Sequence, residues 1–190
     1  MDENHAALAD AALVLVDIQN DYFPGGAMEL CGAVAAGGKA ALVLERFRRA
    51  GAGIVHVRHE SARPDATFFL PGTPGADIAA CVAPRPGEAV VTKAFPNSFR
   101  DTALGAQLAA RGAKRLVVCG MMTLMCVDAT VRAAFDLGYA VTVAADACAA
   151  RDLAFEGRTV AAADVQAAFL AALAAVYARV VPAEAVVSES

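Results

Sequence analysis

Six short stretches of this chain are apolar almost without interruption: 12–17 (ALVLVD), 53–58 (GIVHVR), 89–93 (AVVTK), 115–120 (RLVVCG), 139–145 (YAVTVAA) and 178–181 (ARVV). A strand with one wet face alternates apolar and polar residues. Runs without that alternation fit strands covered on both faces, as in a parallel sheet. Between most of them lie segments of helical periodicity, 32–50, 99–111, 123–137 and 161–177. The first ends in Arg46, Arg48 and Arg49 with Gly51 just beyond, a helix stop made of cations in the last turn and a glycine after it. The second and third run into Gly112 and Gly138. Strand and helix in alternation predict an α/β fold: a doubly wound, six-stranded, mostly parallel sheet with helices on both faces, in three layers. With no internal repeat, linker or break in composition, residues 1–190 are expected to form a single domain.

Composition narrows the function classes. Hydrophobic residues make up 58% of the chain and charged residues 19%, which rules out disorder as a description of the whole. The longest apolar candidate for a membrane span, 160–181, carries Asp164, Gln166 and Arg179, so no membrane partner is expected. The net charge is −4 and no block of Lys and Arg occurs, so no nucleic-acid partner is expected either. The opening Met1-Asp2-Glu3-Asn4-His5 lacks the basic start of a secretory leader, which points to a cytoplasmic protein. Five cysteines, an odd number without framework spacing, are expected to be free thiols.

Ligands of doubly wound sheets bind beyond the carboxyl ends of the strands. The residues found there are Asp17, His59, Lys93, Cys126 and Asp146. Thr123 is the expected N-cap of the helix after the fourth strand, which sets Cys126 in its first turn. There the macrodipole favours a thiolate, and free backbone N–H groups can hold an oxyanion. Taken singly, Cys126 reads as a buried packing thiol, Asp17 as a turn residue and Lys93 as a solvated edge lysine. Together an acid, an amine and a thiol at one end of one sheet suit nucleophilic acyl transfer. Gln19, Phe23, His59, Phe95 and Phe99 are the candidates for a substrate slot with an apolar body and a few polar anchors, loop packing being the other reading of them. The segment 60–86 holds five prolines and Phe68-Phe69-Leu70. A long irregular stretch of this kind reads as a lid, an oligomer contact or a packed surface loop.

LVLVDIQNDYFPGGA, IVHVRHES, VVTKAFPNSF and VCGMMTLMCVDATVRAAFDLGYAVTVAADAC together resemble the isochorismatase-like cysteine hydrolase superfamily, whose members include nicotinamidases, N-carbamoylsarcosine amidases and isochorismatases. The resemblance runs from about residue 11 to residue 181. It implies a catalytic triad of Asp17, Lys93 and Cys126, a cis peptide at Met121–Met122, and an oxyanion site formed by the N–H groups of Met122 and Cys126. The activity it implies is cleavage of a C–N bond in a small amide or carbamoyl substrate through a Cys126 thioester. Two alternatives stay open: hydrolysis of the vinyl ether of isochorismate, and a non-catalytic binding relative. Nicotinamidases carry an Asp and two His as metal ligands after the second strand, whereas this chain reads His56-Val57-Arg58-His59-Glu60-Ser61 there. His56 and His59, three apart along an extended path, point in different directions, so neither metal nor cofactor is expected. The alanine-rich terminal helix and the proline-rich loop, with the habit of the superfamily, suggest a homodimer or homotetramer. A dinucleotide-binding module would need a glycine-rich turn after the first strand, and Asp17-Ile18-Gln19-Asn20-Asp21 is not one.

Overall fold

The computed structural model describes residues 8–188; the acidic opening 1–7 and the last two residues lie outside the described residues. Six strands form one parallel sheet: β1 (Ala11–Val16), β2 (Gly53–His59), β3 (Ala89–Lys93), β4 (Arg115–Met121), β5 (Ala140–Ala149) and β8 (Arg179–Val181), in the order β3-β2-β1-β4-β5-β8. The helices are α1 (Ala33–Arg49), α2 (Leu104–Ala110), α3 (Asp128–Asp136), α4 (Ala162–Val176) and α5 (Ala183–Ser188). All six residues of β1 are buried, which is why this run carries no polar alternation. Each Leu or Val withdrawn from water there contributes about 1.5–3 kcal/mol. Among the described residues no helix is long and apolar enough to cross a membrane.

The chain winds from β1 through β2 to β3 on one side, then returns to lay β4, β5 and β8 on the other. The order therefore reverses beside β1, and a crevice opens between the carboxyl ends of β1 and β4. Gly120 sets the depth of that crevice. Its φ is +138°, and a Cβ there would lie 2.0 Å from the Val16 carbonyl oxygen. Only glycine lets β4 close on the end of β1 at this point.

Several elements differ from expectation. The helix expected over 99–111 is α-helical only from Leu104. Thr102 Oγ1 donates to the Ser98 carbonyl and accepts from the Leu104 N–H, a local turn that delays the helix. The fifth strand runs on to Ala149 because it bulges against β4: Val118 pairs with Val143, but Gly120 pairs with Cys148. Asp146 thus lies within β5 rather than past its end, and its carboxylate accepts from the Ala183 N–H and faces Lys39. The stretch around Glu156 forms a small antiparallel hairpin, β6 (Leu153–Phe155) with β7 (Arg158–Val160). Thr123 is not an N-cap. It is the first residue of a single π-helical turn, Thr123–Val127, and its hydroxyl reaches the Ala149 carbonyl and Gln166 instead. The Met121–Met122 peptide is cis.

Candidate active site

Three strand ends meet in the crevice. β1 ends at Val16, and Asp17 follows with φ +49°, a left-handed conformation that turns the chain sharply. The Asp17 N–H still bonds to the Val57 carbonyl, so the turn begins from the sheet itself. β3 ends at Lys93, and the π turn after β4 carries Cys126. Lys93 Nζ stands 2.7 Å from Asp17 Oδ2 and donates to Cys126 Sγ at 3.1 Å and to the Phe95 carbonyl at 3.0 Å. The Lys93 and Asp17 side chains are completely buried. Apart from the Lys93 ion pair, neither Asp17 carboxylate oxygen has a hydrogen-bond partner among the described residues, and one of them lies within 4.8 Å of the sulfur.

Burial dominates the electrostatics. It raises the Asp17 carboxyl above its usual range, against the pull of the Lys93 ammonium. It pushes the Cys126 thiol up as well, with the Asp17 charge adding to the effect and Lys93 opposing it. The expected helix-end stabilisation of a thiolate is therefore outweighed. In the resting site the proton belongs on sulfur, and a thiolate forms only when a neighbour takes that proton. Lys93 is held above the ordinary lysine range by Asp17 and Cys126 despite its burial, so the ammonium persists.

His59, at the end of β2, faces the same group. Its Nδ1 lies 3.0 Å from Lys93 Nζ. An ammonium only donates, so Nδ1 accepts and the ring proton sits on Nε2. Burial and the adjacent ammonium lower the His59 pKa to about 4, so the ring is neutral. Asp17, His59 and Cys126 bring a carboxylate oxygen, a ring nitrogen and a sulfur within 4.8 Å of one another, a donor set suited to a metal. The Lys93 ammonium already stands within hydrogen-bonding distance of all three, in the place where an ion would sit. His56 is directed elsewhere, with Nε2 2.9 Å from Glu88.

A cavity of about 350 Å³ opens over Cys126, with Met122 and His59 also in its lining. The remaining substrate candidates stand apart from it. Gln19 is completely buried, and its amide clamps the backbone of His59: Oε1 accepts from the His59 N–H, and Nε2 donates to the carbonyls of His59 and Ala76. Phe23 packs toward Gly37 of α1. The Phe95 ring lies under the Arg100 guanidinium, 3.6 Å away, while its carbonyl holds Lys93. Phe99 stacks on Tyr139.

The opposite wall comes from the irregular segment. Phe68 and Phe69 line the cavity with Tyr22, whose ring meets that of Phe69 edge-on at 4.6 Å. Asp21 ties this wall to the strand end. Its carboxylate accepts from the Phe69 N–H at 2.6 Å and from the Ala27 N–H at 3.2 Å. Gly75 passes so close that a Cβ would fall 2.1 Å from Asp21 Oδ1. Sequence reasoning missed Tyr22 and Asp21 as parts of the site. The one signal available was their place in the same short run as Asp17.

The sequence model of the isochorismatase domain matches residues 11–186. The uncharacterized isochorismatase family protein YddQ of Bacillus subtilis is 48% identical over 174 residues, which cover 92% of this chain and 97% of that protein. The ureidoacrylate amidohydrolase RutB of Azorhizobium caulinodans is 30% identical over 166 residues, 70% of this chain and 73% of that protein. The crystal structure of an isochorismatase from Pseudomonas putida superposes with a TM-score of 0.87 at 35% identity, over 94% of this chain and 90% of that one.

Proposed function

The chain belongs to the isochorismatase family of hydrolases, and from that premise we propose that it hydrolyses the C–N bond of a small amide through a thioester on Cys126. The observation that carries the reading is the 3.1 Å contact of Cys126 with a lysine that is itself ion-paired to Asp17 at 2.7 Å, all three side chains being buried. The kinship to a ureidoacrylate amidohydrolase supports the amide class.

Asp17 accepts the thiol proton of Cys126, and the sulfur attacks the amide carbonyl carbon. The backbone N–H groups of Met122 and Cys126 hold the oxyanion of the tetrahedral intermediate. Asp17 returns the proton to the departing nitrogen, the C–N bond breaks, and the acyl group stays on sulfur. Asp17 then deprotonates a water that attacks the thioester; the acid leaves and the proton returns to sulfur. Lys93 stays charged throughout. Its task is to balance the single negative charge that passes between the carboxylate and the sulfur, at a site that solvent does not screen.

Self-association belongs to the same reading. α4 leaves Ala167, Ala171, Ala174 and Val176 in solvent, and the hairpin leaves Phe155 73% exposed. A homodimer or homotetramer would cover them, and light scattering on eluted fractions measures the mass directly.

The deciding experiment is ammonia release from a panel of small amides by wild type and by Cys126→Ala, with pyruvate release from isochorismate assayed in parallel. Amide hydrolysis is expected in the wild type and is expected to fall by about 10⁴-fold or more in the variant. Pyruvate release that survives the substitution, with no amide cleaved, would replace the thioester reading with vinyl-ether hydrolysis.

A further inference from the structure

The mechanism employs Asp17, Lys93 and Cys126 and leaves two polar atoms of the same cavity without a task. Tyr22 is only 1% exposed and lines the cavity with Cys126, and its hydroxyl has no hydrogen-bond partner among the described residues. A hydroxyl at a cavity wall that bonds to no other group of the protein is free to donate to a ligand atom there. The second atom is His59 Nε2. With Nδ1 occupied by Lys93, Nε2 carries the ring proton and is likewise without a partner among the described residues. Both atoms are neutral donors. Burial above all, with the Asp17 carboxylate adding to it, holds the Tyr22 phenol well above its usual range.

The rest of the lining is apolar or electrically balanced. Phe68, Phe69, Met122 and Met125 supply the apolar surface. Lys93, beneath Cys126, is paired with Asp17, and Arg63 in the lining holds Asp65 at 2.6 Å, while Arg151, near Tyr22, donates to the Asp152 carbonyl and the Met28 sulfur. An anionic ligand would surrender its hydration here for two neutral donors in a lining whose own cation, Arg63, is already paired, an unfavourable exchange. An uncharged acceptor loses far less.

We propose that Tyr22 and His59 determine specificity, donating hydrogen bonds to an acceptor on an uncharged, flat amide whose apolar body lies against Phe68 and Phe69, and that the cavity discriminates against carboxylate-bearing substrates. The assignment rests on the amide reading above for the end of the molecule that faces Cys126. Isochorismate, with its two carboxylates, falls in the disfavoured class.

The test reads binding without turnover, on Cys126→Ala protein by calorimetry. The probes are benzamides carrying one of three groups of similar shape at position 3 or 4: acetyl, isopropyl or carboxylate. In at least one series the acetyl compound is expected to bind about fivefold to tenfold tighter than the isopropyl compound, the worth of a hydrogen bond made inside a cavity. It is expected to bind more than about tenfold tighter than the carboxylate. Tyr22→Phe, which removes a single oxygen, is expected to bring the acetyl-to-isopropyl ratio toward one, and His59→Leu to do the same. Equal or tighter carboxylate binding, a ratio unchanged in both variants, or no binding of either acetyl compound overturns the assignment. Because the thiol is absent from the protein tested, wild type inert toward amides would sink the hydrolytic reading and leave this ratio standing.

Discussion

The two walls of the cavity are built in opposite ways. The floor is made of strand ends: Asp17, Lys93 and Cys126 each sit within a few residues of a strand of one sheet, and the hydrogen-bond ladder sets their spacing. The facing wall is made of chain without regular structure, Phe68 and Phe69, tied by the Asp21 carboxylate to the Phe69 N–H across 48 residues of sequence and by Ser61, two residues past β2, to the carbonyls of both. The floor gains its rigidity from backbone pairing and cannot change shape without breaking the sheet. The wall gains its position from a few isolated hydrogen bonds and ring contacts, not from a ladder, so its shape can vary while the floor stays as it is. The proposed division, with chemistry on the floor and selectivity mainly on the wall, follows from that difference.

Breaking the floor has the largest expected effect. Lys93→Met leaves the Asp17 carboxylate buried without its counter-ion and is expected to cost about 3–5 kcal/mol in denaturant melts and to abolish hydrolysis. Adding Asp17→Asn removes the stranded charge, so most of the stability is expected back and none of the activity. If the single variant melts like wild type, the floor is not held by this ion pair. Asp21→Ala cuts one tie between floor and wall, leaving two backbone N–H groups unpaired for about 1–3 kcal/mol. Its kinetic signature is a raised KM with kcat little changed, since Cys126 and its neighbours are not displaced. Phe68→Ala touches the wall alone. It is expected to raise KM about fivefold for an amide with an apolar body, while the rate of Cys126 alkylation by iodoacetamide stays near wild type. A change in that alkylation rate would show that the two walls are not independent.

The smallest effect is a slope. His59 is held neutral to about pH 4 in the folded chain, whereas an unfolded histidine takes a proton near pH 6.5. Between those values the unfolded state binds more protons, so stability falls as the pH falls through the window. Chemical melts at several pH values should give a shallower dependence for His59→Gln than for wild type. A slope equal to wild type would mean that the ring is protonated at its place beside Lys93.

Much of this is legible in the sequence alone. The apolar runs set the strands, their lack of alternation indicated a sheet covered on both faces, and the residues just beyond them, Asp17, His59, Lys93 and Cys126, are the ones that converge. Strand ends are local features, and a parallel sheet brings its carboxyl ends together by construction, so a linear reading can assemble that half of the site. The other half depended on tertiary structure for specific reasons. Gln19 looked like a ligand residue and became a clamp on the His59 backbone, because the loop bearing Ala76 passes beside it. Thr123 looked like a cap, but the close approach of β4 to β1 at Gly120 and a carbonyl on β5 drew its hydroxyl away. Cys126 looked like a thiol activated by a helix end, until burial and the Asp17 charge outweighed the dipole. Tyr22 and Phe69 gained their place only from the fold of a proline-rich segment that has no period to read. Short-range order along the chain determined which groups could react; desolvation and contacts between distant segments, which no local pattern encodes, decided their protonation and what they face.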